Sequence, residues 1–222
     1  DIGLGIPAEP LFRSRDSWNF ELGTHLTLLD YKLSLDAALF YNRIYDQQIS
    51  RFAPTGLGRM MVNAGKSQSC GGELAMRFCP NSHLTFSGNY GYTHSSFLDY
   101  DAGDGHDYTD NLVPFVPAHT FLVDAAYTWF LGENYLLKSI ALGANYAGTG
   151  RIYWTEDNRV SQPFYAQLGA RLGLSFEHLN VQIWGKNLTD DKSCTFYFES
   201  AGRCFEQYCK PLQVGIDLNF HF

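Results

Sequence analysis

The segment LQVGIDLNFHF (212–222) alternates strictly, with Leu212, Val214, Ile216, Leu218, Phe220 and Phe222 on one side and Gln213, Gly215, Asp217, Asn219 and His221 on the other. Successive side chains of an extended strand point to opposite faces, so this pattern predicts a strand that is apolar on one face and polar on the other. The same period of two recurs from Trp18 onward. Leu22, Leu26 and Leu28 oppose Glu21, His25 and Thr27, and Leu168, Leu172 and Leu174 oppose Gln167, Arg171 and Ser175. Read along the whole chain, the pattern predicts an all-β fold of about nine strands with no helix.

Connection lengths sharpen this reading. Tight turns are predicted at Leu29-Asp30-Tyr31, 79–82, 131–134 and Glu177-His178, and between them lie longer joins at 51–58, 95–118 and 148–161 and a hairpin tip at 200–203. Short turns at one end and long loops at the other characterise outer-membrane barrels, with the turns periplasmic and the loops extracellular. A soluble sandwich has no reason to sort its loops this way. The predicted fold is therefore a transmembrane antiparallel β-barrel in the cell outer membrane, with lipid against its apolar face and its C-terminus periplasmic.

Composition agrees. At 45% hydrophobic and 18% charged the chain is not disordered. No run approaches the ~18 apolar residues of a membrane-spanning helix, and a mean hydropathy of -0.21 suits a half-apolar wall. The 14 Tyr, 17 Phe and 4 Trp gather near the ends of apolar runs, as interfacial girdles require. A net charge of -7 without clustered Lys or Arg excludes nucleic acid as a partner. The N-terminal DIGLGIPAEP has neither the charged nor the apolar region of a signal peptide. Single-chain bacterial barrels have even strand numbers, so an odd count is expected of the C-terminal portion (1–222) of a larger barrel.

Three segments carry a resemblance: VNAGKSQSCGGELAMRF (62–78), NLVPFVPAHTF (111–121), and WGKNLTDDKSCTFYFES (184–200) running on to the final strand. In order and spacing the chain resembles the C-terminal part of the TonB-dependent outer-membrane receptors. The resemblance implies the last nine strands of a 22-stranded barrel, with the plug and the earlier strands absent. It implies energy-coupled uptake of a scarce nutrient such as an iron chelate, haem, cobalamin or a saccharide. It also implies three partners: the nutrient ligand, the periplasmic transducer TonB acting through the absent plug, and the barrel insertion machinery. Leu218, Phe220 and Phe222 resemble the assembly signal that this machinery reads. A passive porin or an autotransporter translocator shares the alternation and the final aromatic, and a soluble β-sandwich interaction protein is the third reading.

Other chemistry is sparse. The chain has no Gly-x-Ser-x-Gly, no His-Glu-x-x-His and no phosphate loop, so no enzyme, cofactor or metal is expected. Asp99, Asp101, Asp104, Asp107 and Asp110 suggest a calcium loop, but Gly103 stands where a ligand belongs, and a solvated acidic tip is the simpler reading. His94 and His106 are candidate ligand contacts, although loop histidines are usually just exposed. Tyr100, Tyr108, Tyr153 and Trp154 are candidate stacking surfaces, with loop packing as the blander alternative. Cys70 and Cys79 lie too far apart on one strand to bond. If Ala201-Gly202 is a two-residue hairpin tip, Cys194 faces Cys209 as a candidate disulfide and Val181 faces Phe222.

Deleting Phe222 is predicted to impair assembly more than stability. Surface levels of the truncated receptor, compared with its unfolding once assembled, check this; normal surface levels would overturn it.

Overall fold

A computed structural model describes residues 16–46, 48–52, 59–63, 65–102, 105–132, 134–200 and 202–221, with backbone alone for 48–52 and 59–63. Fifteen strands are described: β1 (Asp16–Leu28), β2 (Leu33–Tyr45), β3 (Gln48–Phe52), β4 (Arg59–Asn63), β5 (Lys66–Phe78), β6 (Leu84–Asp99), β7 (His119–Phe130), β8 (Leu137–Thr149), β9 (Ile152–Tyr153), β10 (Ser161–Gln162), β11 (Tyr165–Phe176), β12 (Leu179–Lys186), β13 (Cys194–Ser200), β14 (Arg203–Tyr208) and β15 (Gln213–Phe220). Nine of them form one antiparallel sheet in the order β1-β2-β5-β6-β7-β8-β11-β12-β15. These are the nine that the alternation predicts. The other six form three hairpins, β3–β4, β9–β10 and β13–β14, all at the long-loop end.

The register lines up like with like. One row runs Leu26, Leu35, Met76, Gly88, Val123, Tyr146, Leu168 across seven strands. The adjacent row, on the opposite face, runs Thr27, Ser34, Arg77, Ser87, Asp124, Asn145, Gly169. The apolar face is bare: Leu22 is 74% exposed, Val214 72% and Ile216 65%. Water at such a surface would cost roughly 25 cal/mol per Å², and so large a patch is foreign to soluble monomers. Hydrocarbon removes the penalty. The ten steps from Trp18 to Leu28 cover ~33 Å of strand, which at a tilt of about 45° gives an apolar band close to the ~25 Å of an outer membrane.

The turns at the other end are tight. Leu29, Asp30 and Tyr31 all have positive φ (55°, 53° and 66°), and the Lys32 amide donates to the Leu29 carbonyl at 3.1 Å. At the next turn the Asn81 side-chain oxygen accepts from the His83 and Leu84 amides, both at 3.0 Å. Gly71 is required by close approach: a Cβ there would lie 2.0 Å from the Tyr92 carbonyl oxygen and 2.6 Å from the Phe40 ring.

The final hairpin departs from the predicted register. Ser200 faces Arg203 as expected, but Val181 pairs with Leu218, not Phe222, which lies outside the described residues. Between the wall and the hairpin, 187–193 on one strand stand against only 209–212 on the other, and Thr195 is left unpaired by a bulge. Asn187 organises the longer side. Buried and at φ 49°, it accepts from the Asp191 amide and donates to the Asp191 and Lys210 carbonyls, each at 2.9 Å. The bulge also overturns the cysteine pairing. Cys194 pairs with Tyr208, and the Cys209 amide donates to the Ser193 carbonyl at 3.0 Å, so the two thiols fall on opposite faces and all five cysteines are free.

Ile216→Arg is expected to destabilise the assembled barrel by ~2–4 kcal/mol if it sits at mid-membrane depth, and Asn219→Arg on the polar face by far less. Denaturant unfolding of the full receptor in lipid measures both.

Candidate functional site

The long-loop end is organised by two small aromatic cores. Phe97 lies on the polar face of β6, where the loop returning from 100 to 118 covers it. Phe97 and Tyr100 are fully buried, with Tyr108 and Val113 packed against them. The return limb pairs beside β6: the Phe97 amide donates to Asn111 at 2.9 Å, and the Val113 amide donates to Ser95 at 3.0 Å. The second core joins Ile152 and Trp154 of the β9–β10 hairpin to Tyr197 of β13, with Val160, Tyr165 and Cys194 around them.

Side chains clasp the loops to one another. Asn158, at φ 55°, accepts from the Leu112 amide at 2.8 Å and donates to the Leu112 carbonyl at 2.9 Å and the Thr155 carbonyl at 3.2 Å. The Asn111 amide group donates to the Glu156 carbonyl at 2.8 Å, and the Phe115 backbone amide donates to the Tyr153 carbonyl at 2.8 Å. Rings Trp154, Phe115, Phe196, Phe198 and Phe205 follow one another at centroid steps of 5.4, 5.6, 5.8 and 4.9 Å. The Cys194 amide donates to the Gln162 side chain at 3.0 Å and ties β13 to the β9–β10 hairpin. Three loops are thereby held as one roof over the polar face.

Ionisable groups in the roof are held by local hydrogen bonds. Burial pulls the Asp157 carboxyl upward, but the Thr155 hydroxyl at 2.6 Å, the Arg159 amide at 3.1 Å and the Arg159 guanidinium outweigh it, leaving the group below its usual range. Asp191 behaves alike, with burial opposed by hydrogen bonds from Ser193 and the Cys209 thiol. A carboxyl depressed on folding contributes stability above its unfolded pKa and loses it as the pH falls through the folded value. These two carboxylates therefore keep their charge and their contribution near neutrality. Tyr197 is pushed up by its hydrogen bonds with Cys204 at 3.1 Å and Glu199 at 2.6 Å, and stays neutral.

Below the roof, Arg171 of β11 makes a two-pronged ion pair with Asp124 of β7, at 2.6 and 2.8 Å, crossing β8 over Gly143. A Cβ on Gly143 would lie 2.7 Å from the guanidinium carbon, so a bare backbone is what lets the arm pass.

The structure divides the predicted ligand contacts. Tyr100, Tyr108 and Trp154 are spent on packing, and Tyr153 pairs with Ser161 while its carbonyl holds Phe115. His106 is exposed and stacks on Tyr108 with centroids 6.1 Å apart. His94 lies apart from them, on the apolar face opposite Cys70. Asn158, Phe115 and the Arg171–Asp124 pair escaped sequence reasoning. The tolerance of Asn for left-handed turns in a polar loop is the one sequence signal from which Asn158 could have been found. Of the acidic loop, Asp99 pairs with Lys66 at 3.4 Å and Asp107 accepts from the Thr109 amide at 2.9 Å.

Residues 4–188 match the TonB-dependent receptor-like β-barrel family. The chain belongs to that family. Among solved structures, the ferric yersiniabactin uptake receptor FyuA from Yersinia pestis is 25% identical, with a TM-score of 0.76 over 94% of this chain and 30% of that one. The siderophore receptor PiuA from Acinetobacter baumannii (21% identity, TM-score 0.70, 92% of this chain and 28% of that one) shares the fold. So does the ferric-catecholate import receptor Fiu from Escherichia coli K12 (22%, 0.71, 95% and 28%). The chain thus spans about 30% of the length of the receptors it matches.

Asn158→Gly keeps the left-handed backbone accessible but removes the side-chain bonds, and is expected to loosen the roof by ~1–3 kcal/mol. Hydrogen exchange at the Leu112 amide measures this. Unchanged protection would mean that Asn158 does not hold the loops together.

Proposed function

We propose that this chain is the C-terminal wall of an outer-membrane receptor that takes up a scarce nutrient, an iron chelate in the first instance, using energy supplied through TonB. The observation that carries the reading is the roof of three clasped loops over the polar face of a lipid-compatible wall. A surface of that kind is suited to recognition, since binding residues gather on loops positioned by a rigid scaffold. In this reading the long-loop end is extracellular, the C-terminus is periplasmic, and further strands complete the cylinder around a plug. FyuA, PiuA and Fiu are named for iron chelates, which favours that class over haem, cobalamin or a saccharide. None of the three is named as an enzyme, in keeping with the missing catalytic motifs.

Accumulation of radioactive iron by cells expressing the full receptor tests the proposal. Uptake should fall to background when TonB is removed or the proton gradient is collapsed, while chelate binding at the surface persists. Entry that proceeds equally without TonB would replace the receptor with a passive porin.

A further inference from the structure

One cleft is assigned no role by the wall or by the roof. It lies on the polar face at the long-loop end, between the ends of β8, β11 and β12 and the foot of the β13–β14 hairpin, and encloses about 420 Å³. That size falls within the ~300–1,000 Å³ range of small-ligand sites. Its lining includes Lys186, Lys210, Gln167, Gln213 and Tyr165. No Asp or Glu is among the lining residues, although acidic side chains outnumber Lys and Arg by 23 to 16 in the chain.

The register fixes which way the cleft opens. Arg171 pairs with Trp184 and Trp184 with Gly215, so Trp184, Lys186 and Gln213 share the face of the Arg171–Asp124 ion pair. Trp184 lies flat against Gly215, and the Lys186 ammonium sits 4.9 Å from the Trp184 ring centroid. The ring positions the ammonium without neutralising it. Neither Lys186 nor Lys210 has a carboxylate partner among the described residues, whereas Lys66, Arg159, Arg171 and Lys192 each have one. Lys210 is held by its backbone, because its carbonyl accepts from the buried Asn187. The bend that shifts the register of the last hairpin therefore also places the Lys210 backbone at the rim of the cleft.

We propose that this cleft is an anion-binding subsite, in which Lys186 and Lys210 take the carboxylate or phenolate oxygens of the ligand. The inference rests on the receptor reading and narrows it to ligands of negative charge, setting aside neutral saccharides and cationic chelates. Two ammonium groups with no carboxylate partner among the described residues, set in a cleft, concentrate an anion far more than the same charges in open water.

The test uses the full-length receptor in outer-membrane vesicles without an energy source, with ferric citrate and a ferric tricatecholate as anionic probes and a cationic ferric trihydroxamate as control. Wild type should bind the anionic probes and not the control. Lys186→Gln and Lys210→Gln should each weaken anionic binding on the order of tenfold, while Lys186→Arg retains it. The inference is overturned if wild type binds neither anionic probe, or if the glutamine variants bind them as tightly as wild type. Lysine-dependent binding without accumulation in energised cells would leave the anion subsite standing and overturn the uptake reading.

Discussion

Hydrocarbon offers no partner to a peptide group, and that one constraint governs the wall. Every N–H and C=O within the membrane must find its mate on the next strand, so each strand turns back beside its predecessor and the sheet order follows the chain. Register then becomes the variable that assigns chemistry. Once Leu26 is set opposite Leu35, the whole row out to Leu168 is committed to the apolar face. A slip of one residue would bring Asp124 and Arg171 to the lipid. The same constraint requires partners for the outer edges of β1 and β15, which have none among the described residues.

Much of the wall was legible in the sequence because alternation is a local signal. Leu168, Leu172 and Leu174 need no knowledge of their neighbours to be placed on one face, and the turn at Leu29-Asp30-Tyr31 announces itself by interrupting the pattern. The register of the last hairpin was not legible. It depends on Asn187 curling a segment back on itself and on a bulge at Thr195, and neither changes the count of residues that a sequence reader sees. The loops were legible only as loops. Tyr100 and Trp154 look alike whether they wait for a ligand or fill a small core, and contacts across more than forty residues, such as Asn158 with Leu112, decide which.

That division bears on where recognition resides. The rings most conspicuous in the loop sequences are used to hold the loops together, and in the proposed receptor the groups left to a ligand are plainer ones: lysines and amides on the polar face beneath. In the proposed receptor, a roof clasped by hydrogen bonds and stacked rings would lose little conformational entropy when a ligand arrives, so more of each contact would appear as affinity. The depressed carboxyls of Asp157 and Asp191 keep that arrangement charged and intact across the neutral range.

The Arg171 arm reaching over Gly143 to Asp124 fits one register alone. Backbone ladders are indifferent to a shift of two residues, because every hydrogen bond reforms and every side chain keeps its face. The arm is not indifferent. Sliding β8 by two places sets Ala141 or Asn145 under the guanidinium in place of the bare backbone, and the ion pair is blocked. Three strands are thus checked against one another by a single side chain, at a spacing that hydropathy alone cannot police.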